Sequence, residues 1–107
     1  MSLVNYQKRV DDWVKQYKIG YFKPLEAIAR LSEEVGELAR EINHRYGPKK
    51  KKSTERKNEL ADEMADIIFT IICMANLLGI DLDKSFEKMM KKLNTRDKKR
   101  YKKKAAQ

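Results

Sequence analysis

Residues 60–79 read Leu-Ala-Asp-Glu-Met-Ala-Asp-Ile-Ile-Phe-Thr-Ile-Ile-Cys-Met-Ala-Asn-Leu-Leu-Gly. From Ile67 to Leu78 the stretch is apolar almost all round, broken only by Thr70 and Asn76. It shows no period-two alternation, so it does not read as a half-buried strand. A helix apolar on every side is expected to be buried. The stretch is also too short to span a bilayer. Gly79 follows as a helix-ending residue. A central helix is therefore the organising element, and other helices must cover it.

Three more helices are legible on either side. Leu3, Tyr6, Val10, Trp13, Val14 and Tyr17 form one stripe, which predicts a helix over about 3–17. A link, 18–23, contains Gly20. Pro24 then stands where a helix can begin. Leu25, Ile28, Leu31, Val35, Leu38, Ala39, Ile42 and Tyr46 carry a second stripe, and Gly47-Pro48 ends it. Ser53 or Thr54 can cap the central helix. Asp81 can cap a last helix with the stripe Leu82, Phe86, Met89, Met90 and Leu93. The expectation is an all-α, four-helix bundle-like fold with an antiparallel central hairpin. At 107 residues it is one domain, 1–107, whose basic tail from about 97 is expected to fray.

The net charge of +9 is unevenly placed. Residues 49–57 hold six basic residues and one acid, and residues 88–107 hold ten and one. The rest has nine basic residues against 14 acidic ones. An acidic body with a basic loop and tail suits either a nucleic-acid binder or an acidic site that meets an anionic ligand. The single Cys73 excludes an internal disulfide framework and a cysteine-rich zinc site. No secretory signal pattern is visible, so the chain reads as soluble and cytoplasmic. So small a domain buries a modest share of its surface, and a partner subunit would help.

The acids are the informative residues. The second helix carries Glu33, Glu34 and Glu37, and the third carries Glu59, Asp62, Glu63 and Asp66. Glu34/Glu37 and Glu63/Asp66 are each three apart, on one face and one turn apart. Like charges at this spacing repel, so helix stability alone does not select them. Glu37 stands ~12 Å and Glu63 ~14 Å from the connecting loop, so an antiparallel hairpin brings both pairs to one level. Four carboxylates beside a core call for cations. Oxygen-only ligands suit a hard ion, Mg²⁺ or Mn²⁺. His44 is the only histidine and no E-x-x-H pair is present, which speaks against zinc and di-iron sites. Gly36 in mid-helix suggests close helix approach, or simple tolerance.

The strings Leu31-Ser-Glu33-Glu34-Val35-Gly36-Glu37-Leu38 and Glu63-Met-Ala-Asp66 resemble the E-E-x-x-E … E-x-x-D signature of the MazG-like family of all-α nucleoside triphosphate pyrophosphohydrolases. Val10-Asp-Asp-Trp13, Gly20-Tyr21-Phe22-Lys23-Pro24-Leu25 and Lys92-Leu-Asn94-Thr-Arg96-Asp97 look like its small single-domain branch. The resemblance spans about residues 5–101. It implies Mg²⁺-dependent cleavage of a nucleoside triphosphate between its α- and β-phosphates. It implies Glu34, Glu37, Glu63 and Asp66 as metal ligands, with Glu34 or Glu37 as base and Glu33 in a supporting place. It also implies a dimer or tetramer, with sites built partly at subunit contacts.

Lys92 and Arg96, with Asn94 between them, are candidate phosphate contacts or else part of a solvated basic tail. Trp13, Tyr21 and Phe22 are candidates to stack on a base, or to fill the core. No Walker loop or dinucleotide-binding glycine pattern is present. The rival reading is a non-catalytic nucleic-acid-binding or protein-interaction module using Lys49–Lys52 and Lys98–Lys104. It leaves the acid pairs unexplained.

Overall fold

The computed structural model describes residues 2–48, 60–96, 100–102 and 104. Four helices follow in order: α1 (Leu3–Val14), α2 (Pro24–Tyr46), α3 (Leu60–Leu78) and α4 (Leu82–Thr95). No strand occurs among the described residues. Ser53, Thr54 and the run Lys49–Lys52 lie outside them, as does most of the basic tail.

The helix ends follow from local chemistry. Ser2 and Asn5 form a capping box at the start of α1. The Asp83 carboxylate of α4 accepts from Leu3 N at 3.0 Å and Val4 N at 3.3 Å, so one helix caps another. α1 ends at Val14, not near Tyr17. Gln16 N and Tyr17 N donate to Trp13 O and Val14 O, tightening the last turn, and Gly20 then reverses the chain at φ +61°. Pro24 opens α2 and Gly47 closes it, as the sequence predicts. Gly79 at φ +70° lets Ile80 N donate to Ala75 O at 2.8 Å, a Schellman ending for α3. Asp81 caps α4 through Lys84 N, and α4 leaves at 110° to α3.

α2 and α3 make the most extensive interface, α1 packs on α3, and α4 leans on α1. The buried apolar residues among the described ones are Val14, Ala27, Ile72 and Ala75. This corrects one expectation: α3 is apolar all round, yet Ile68 is 53% exposed, and Phe69, Ile71, Leu77 and Leu78 are exposed too. The described helices are too few to enclose α3, and α4 swings away instead of covering it. The radius of gyration is 18.0 Å, against about 13 Å for a compact chain of this length. Gly36 also has no close neighbour from another helix among the described residues, since a Cβ there would meet nothing within 4 Å. No single helix among the described residues is long and apolar enough to cross a membrane.

One polar residue does much of the joining. Gln7 of α1 is buried. Its Nε2 donates to Asn76 Oδ1 and Ile80 O, while its Oε1 accepts from Leu82 N. Asn76 Nδ2 donates back to Gln7 O. Gln7→Met keeps the volume but strands these buried partners, so we expect a loss of about 2–3 kcal/mol in urea unfolding. An unchanged midpoint contradicts that role.

Candidate active site

The α2–α3 hairpin sets acids against acids. Glu34, Glu37 and Glu63 each offer an oxygen, and these oxygens lie within 4.8 Å of one another. Glu34 and Glu63 are only 4% exposed, whereas Glu37 is exposed. The register is antiparallel: Glu37 meets Glu63, and Glu34 lies near Asp66. Asp66 stands one turn beyond Glu63, is exposed, and borders the same cleft without joining the group of three.

Such crowding is unfavourable without a counter-charge. Burial raises the Glu63 pKa first, then a hydrogen bond shared with Glu37, then the charges of Glu37, Asp66 and Glu34. Burial also raises Glu34, with Glu37 adding to the rise and Arg30 opposing it. Glu34 Oε2 and Glu63 Oε2 are buried without a hydrogen-bond partner. Two orphaned buried oxygens beside a third carboxylate, with no nitrogen or sulfur donor, fit a hard divalent cation.

The cleft beside these acids measures about 750 Å³. Trp13, Tyr17, Tyr21, Phe22 and Phe69 are its aromatic lining, and Arg30, Glu34 and Asp66 line it as well. Trp13 is half exposed, 5.9 Å edge-on from Phe69 and 5.2 Å from Tyr17 between ring centroids, so it is not core filling. Tyr21 OH donates to Asp11 Oδ1 at 2.6 Å and accepts from Asn76 Nδ2 at 3.0 Å, which pins the 18–23 link to α1 and α3. Desolvation and the Asp11 bond push the Tyr21 pKa up to about 12, so the phenol keeps its proton. Asp11 is held low mainly by Lys15, 2.6 Å away, and then by Tyr21.

Other candidates are placed differently. Glu33 points outward, 3.8 Å from Arg30. Lys92, Asn94 and Arg96 sit at the far end of α4 and do not line the cleft. Sequence reasoning missed Arg30, whose Nε lies 3.1 Å from Glu34 Oε1. Its signal was the i,i+4 spacing, which an ordinary surface pair shares. A larger depression of about 960 Å³ between Ser2 and α4 has no converging carboxylate group among the described residues.

The MazG nucleotide pyrophosphohydrolase domain model matches residues 22–101, a stretch that holds all four hairpin acids. The chain belongs to this MazG family. Among its relatives, YpjD of Bacillus subtilis (strain 168) is 48% identical over 100 residues, covering 94% of this chain and 90% of YpjD. YvdC of the same organism is 33% identical over 106 residues, covering 90% and 96%. The crystal structure of B. subtilis YpjD, there considered a candidate pyrophosphatase, superposes with TM-score 0.79 at 46% identity over 89% of this chain and 97% of that one. A Bacillus-conserved MazG protein, described as a nucleotide pyrophosphohydrolase, gives 0.77 at 45% over 92% and 96%. The all-α fold and nucleotide pyrophosphohydrolase class expected from the MazG resemblance therefore hold.

The raised carboxyl pKa values have a consequence for metal-free stability. The folded protein holds these protons more tightly than the unfolded chain, whose glutamates titrate near 4.5. The stabilising contribution is full below that value and lost as pH rises through the raised values. In EDTA, we expect Tm to fall as pH rises above the ordinary glutamate value of 4.5, and the fall to shrink with Mg²⁺, which binds the ionised form. Glu63→Gln should flatten the metal-free profile. Calorimetry showing the same slope in wild type and variant would contradict the assignment.

Proposed function

We propose that this MazG domain is a Mg²⁺-dependent pyrophosphohydrolase that cleaves a nucleoside triphosphate between its α- and β-phosphates. The products are a nucleoside monophosphate and pyrophosphate, and the role is housekeeping of the cytoplasmic nucleotide pool. The observation that carries this reading is the pair of orphaned buried oxygens, Glu34 Oε2 and Glu63 Oε2, facing Glu37. Glu34, Glu37, Glu63 and Asp66 would hold the ion, and Mn²⁺ would substitute. When bound, it offsets phosphate charge and polarises the α-phosphoryl group.

The chain's own residues account for the rest. Glu37 is the exposed member of the three, so a free Glu37 Oε can take the proton of the attacking water. The α–β anhydride bond breaks as the new phosphorus–oxygen bond forms, and pyrophosphate leaves with the electron pair. The buried Glu34 and Glu63 cannot play this part as readily, because solvent does not reach them. Glu33, turned outward near Arg30, supports that neighbour's position. Trp13, Tyr21 and Phe22 provide aromatic faces for a base.

The exposed apolar residues support a homo-oligomer, a dimer or tetramer. Ile28, Val35 and Ile42 recur every seven residues along α2, and Met64, Ile68 and Ile71 line α3. A seam of this kind is covered by a second copy, as in helix bundles. That copy would also bring Lys92, Asn94 and Arg96, which do not line the cleft of their own chain, toward the phosphates.

The test is a pyrophosphate-release screen across NTPs and dNTPs. Release with Mg²⁺ or Mn²⁺, and none in EDTA, is the expected result. Release unaffected by chelation, or phosphate in place of pyrophosphate, would overturn the reading.

A further inference from the structure

Arg30 is the one cation among the described residues that line the cleft. It sits on α2 one turn before Glu34, with Nε 3.1 Å from Glu34 Oε1. Its second acidic neighbour, Glu33, is 3.8 Å away, beyond good hydrogen-bond distance. The two ends of the pair differ: the Arg30 side chain is 56% exposed and the Glu34 side chain 6%. The carboxylate is fixed, and the guanidinium is a long arm in an open cleft.

Glu34 Oε1 faces Arg30 while Oε2 is buried without a partner. A divalent ion held by Glu34 and a guanidinium at 3.1 Å from the same carboxylate repel each other. Arriving triphosphate oxygens offer Arg30 a better partner, because its planar fork matches phosphate in two parallel bonds.

We propose that Arg30 is a mobile counter-ion, paired with Glu34 in the metal-free protein and transferred to the nucleotide phosphates when the divalent ion is bound. This rests on the metal-site reading above. It gives Arg30 a binding role that alternates between the protein's own carboxylate and the substrate.

The two roles predict opposite effects of one substitution. In Arg30→Gln, removing the competing cation should raise Mn²⁺ affinity without nucleotide by about 3–10-fold, read by electron paramagnetic resonance. With Mn²⁺ saturating, affinity for a triphosphate bearing a non-hydrolysable α,β-methylene bridge should fall by about 10–100-fold, read by calorimetry. Arg30→Lys, which keeps the charge but not the fork, should fall between, and circular dichroism confirms that each variant folds. If Arg30 merely braces Glu34, Arg30→Gln weakens Mn²⁺ binding and leaves nucleotide affinity at saturating metal unchanged. Either finding overturns the proposal. Failure of the metal-site reading looks different: wild type then binds no Mn²⁺ at all, and the proposal falls with it.

Discussion

Glu37→Gln and Glu63→Gln should each reduce pyrophosphate release by about 10³-fold or more without loss of helix content. The two substitutions remove one charge and keep the shape. They act on different members of the cluster, the exposed oxygen donor of α2 and the buried one of α3. Loss of either removes one negative oxygen from the proposed ligand set, which weakens the hold on the ion and misplaces it against the phosphates. Their stability effects should diverge from their activity effects. Glu63 is buried and crowded by Glu37, Asp66 and Glu34, so its amide variant should melt higher than wild type in EDTA, by about 5 °C. Mg²⁺ should then raise the wild-type Tm but barely move that of the variant. A Gln variant with full turnover would remove the cluster from the mechanism.

The second large effect concerns the apolar seam. Ile68 is 53% exposed on α3, and Val35 is 48% exposed on α2. Ile68→Lys should convert the proposed oligomer to monomer in sedimentation experiments and cut turnover by about 100-fold or more. The single chain buries only four apolar residues among those described, so the monomer should also unfold at much lower denaturant concentration. The proposed dependence of activity on a second copy has its own signature. An inactive Glu37→Gln chain mixed with an inactive Arg96→Ala chain should regain turnover if Arg96 acts across the interface. Mixtures as inactive as their parts, in an oligomer shown to exchange subunits, would mean that Arg96 does not act across the interface.

What the sequence made legible is local. Pro24 and Gly47 bracket α2, Asp81 and Gly79 mark the α3–α4 turn, and the matched heights of Glu37 and Glu63 follow from counting turns. What stayed hidden depends on partners far along the chain. Gln7 reads as an ordinary polar residue on α1, yet its partners are Asn76, Ile80 and Leu82. Asp83 reads as a first-turn acid of α4 and instead also caps α1. Tyr21 is tied down by Asp11 and Asn76 from two helices. The early end of α1 follows from a tightened last turn and Gly20, which the continuing stripe through Tyr17 masked. The exposure of α3 has a different origin. A helix apolar all round signals burial, but the pattern does not say whether the covering surface belongs to the same chain.

The central claim is that Glu34, Glu37 and Glu63 converge on a divalent ion. Anomalous diffraction from crystals grown with Mn²⁺ tests it directly. The expected result is a manganese peak in the cleft, at about 2.1–2.3 Å from oxygens of all three side chains and close to Asp66. Crystals with Mn²⁺ in the solvent, these carboxylates turned away from one another and no peak between α2 and α3 would contradict it.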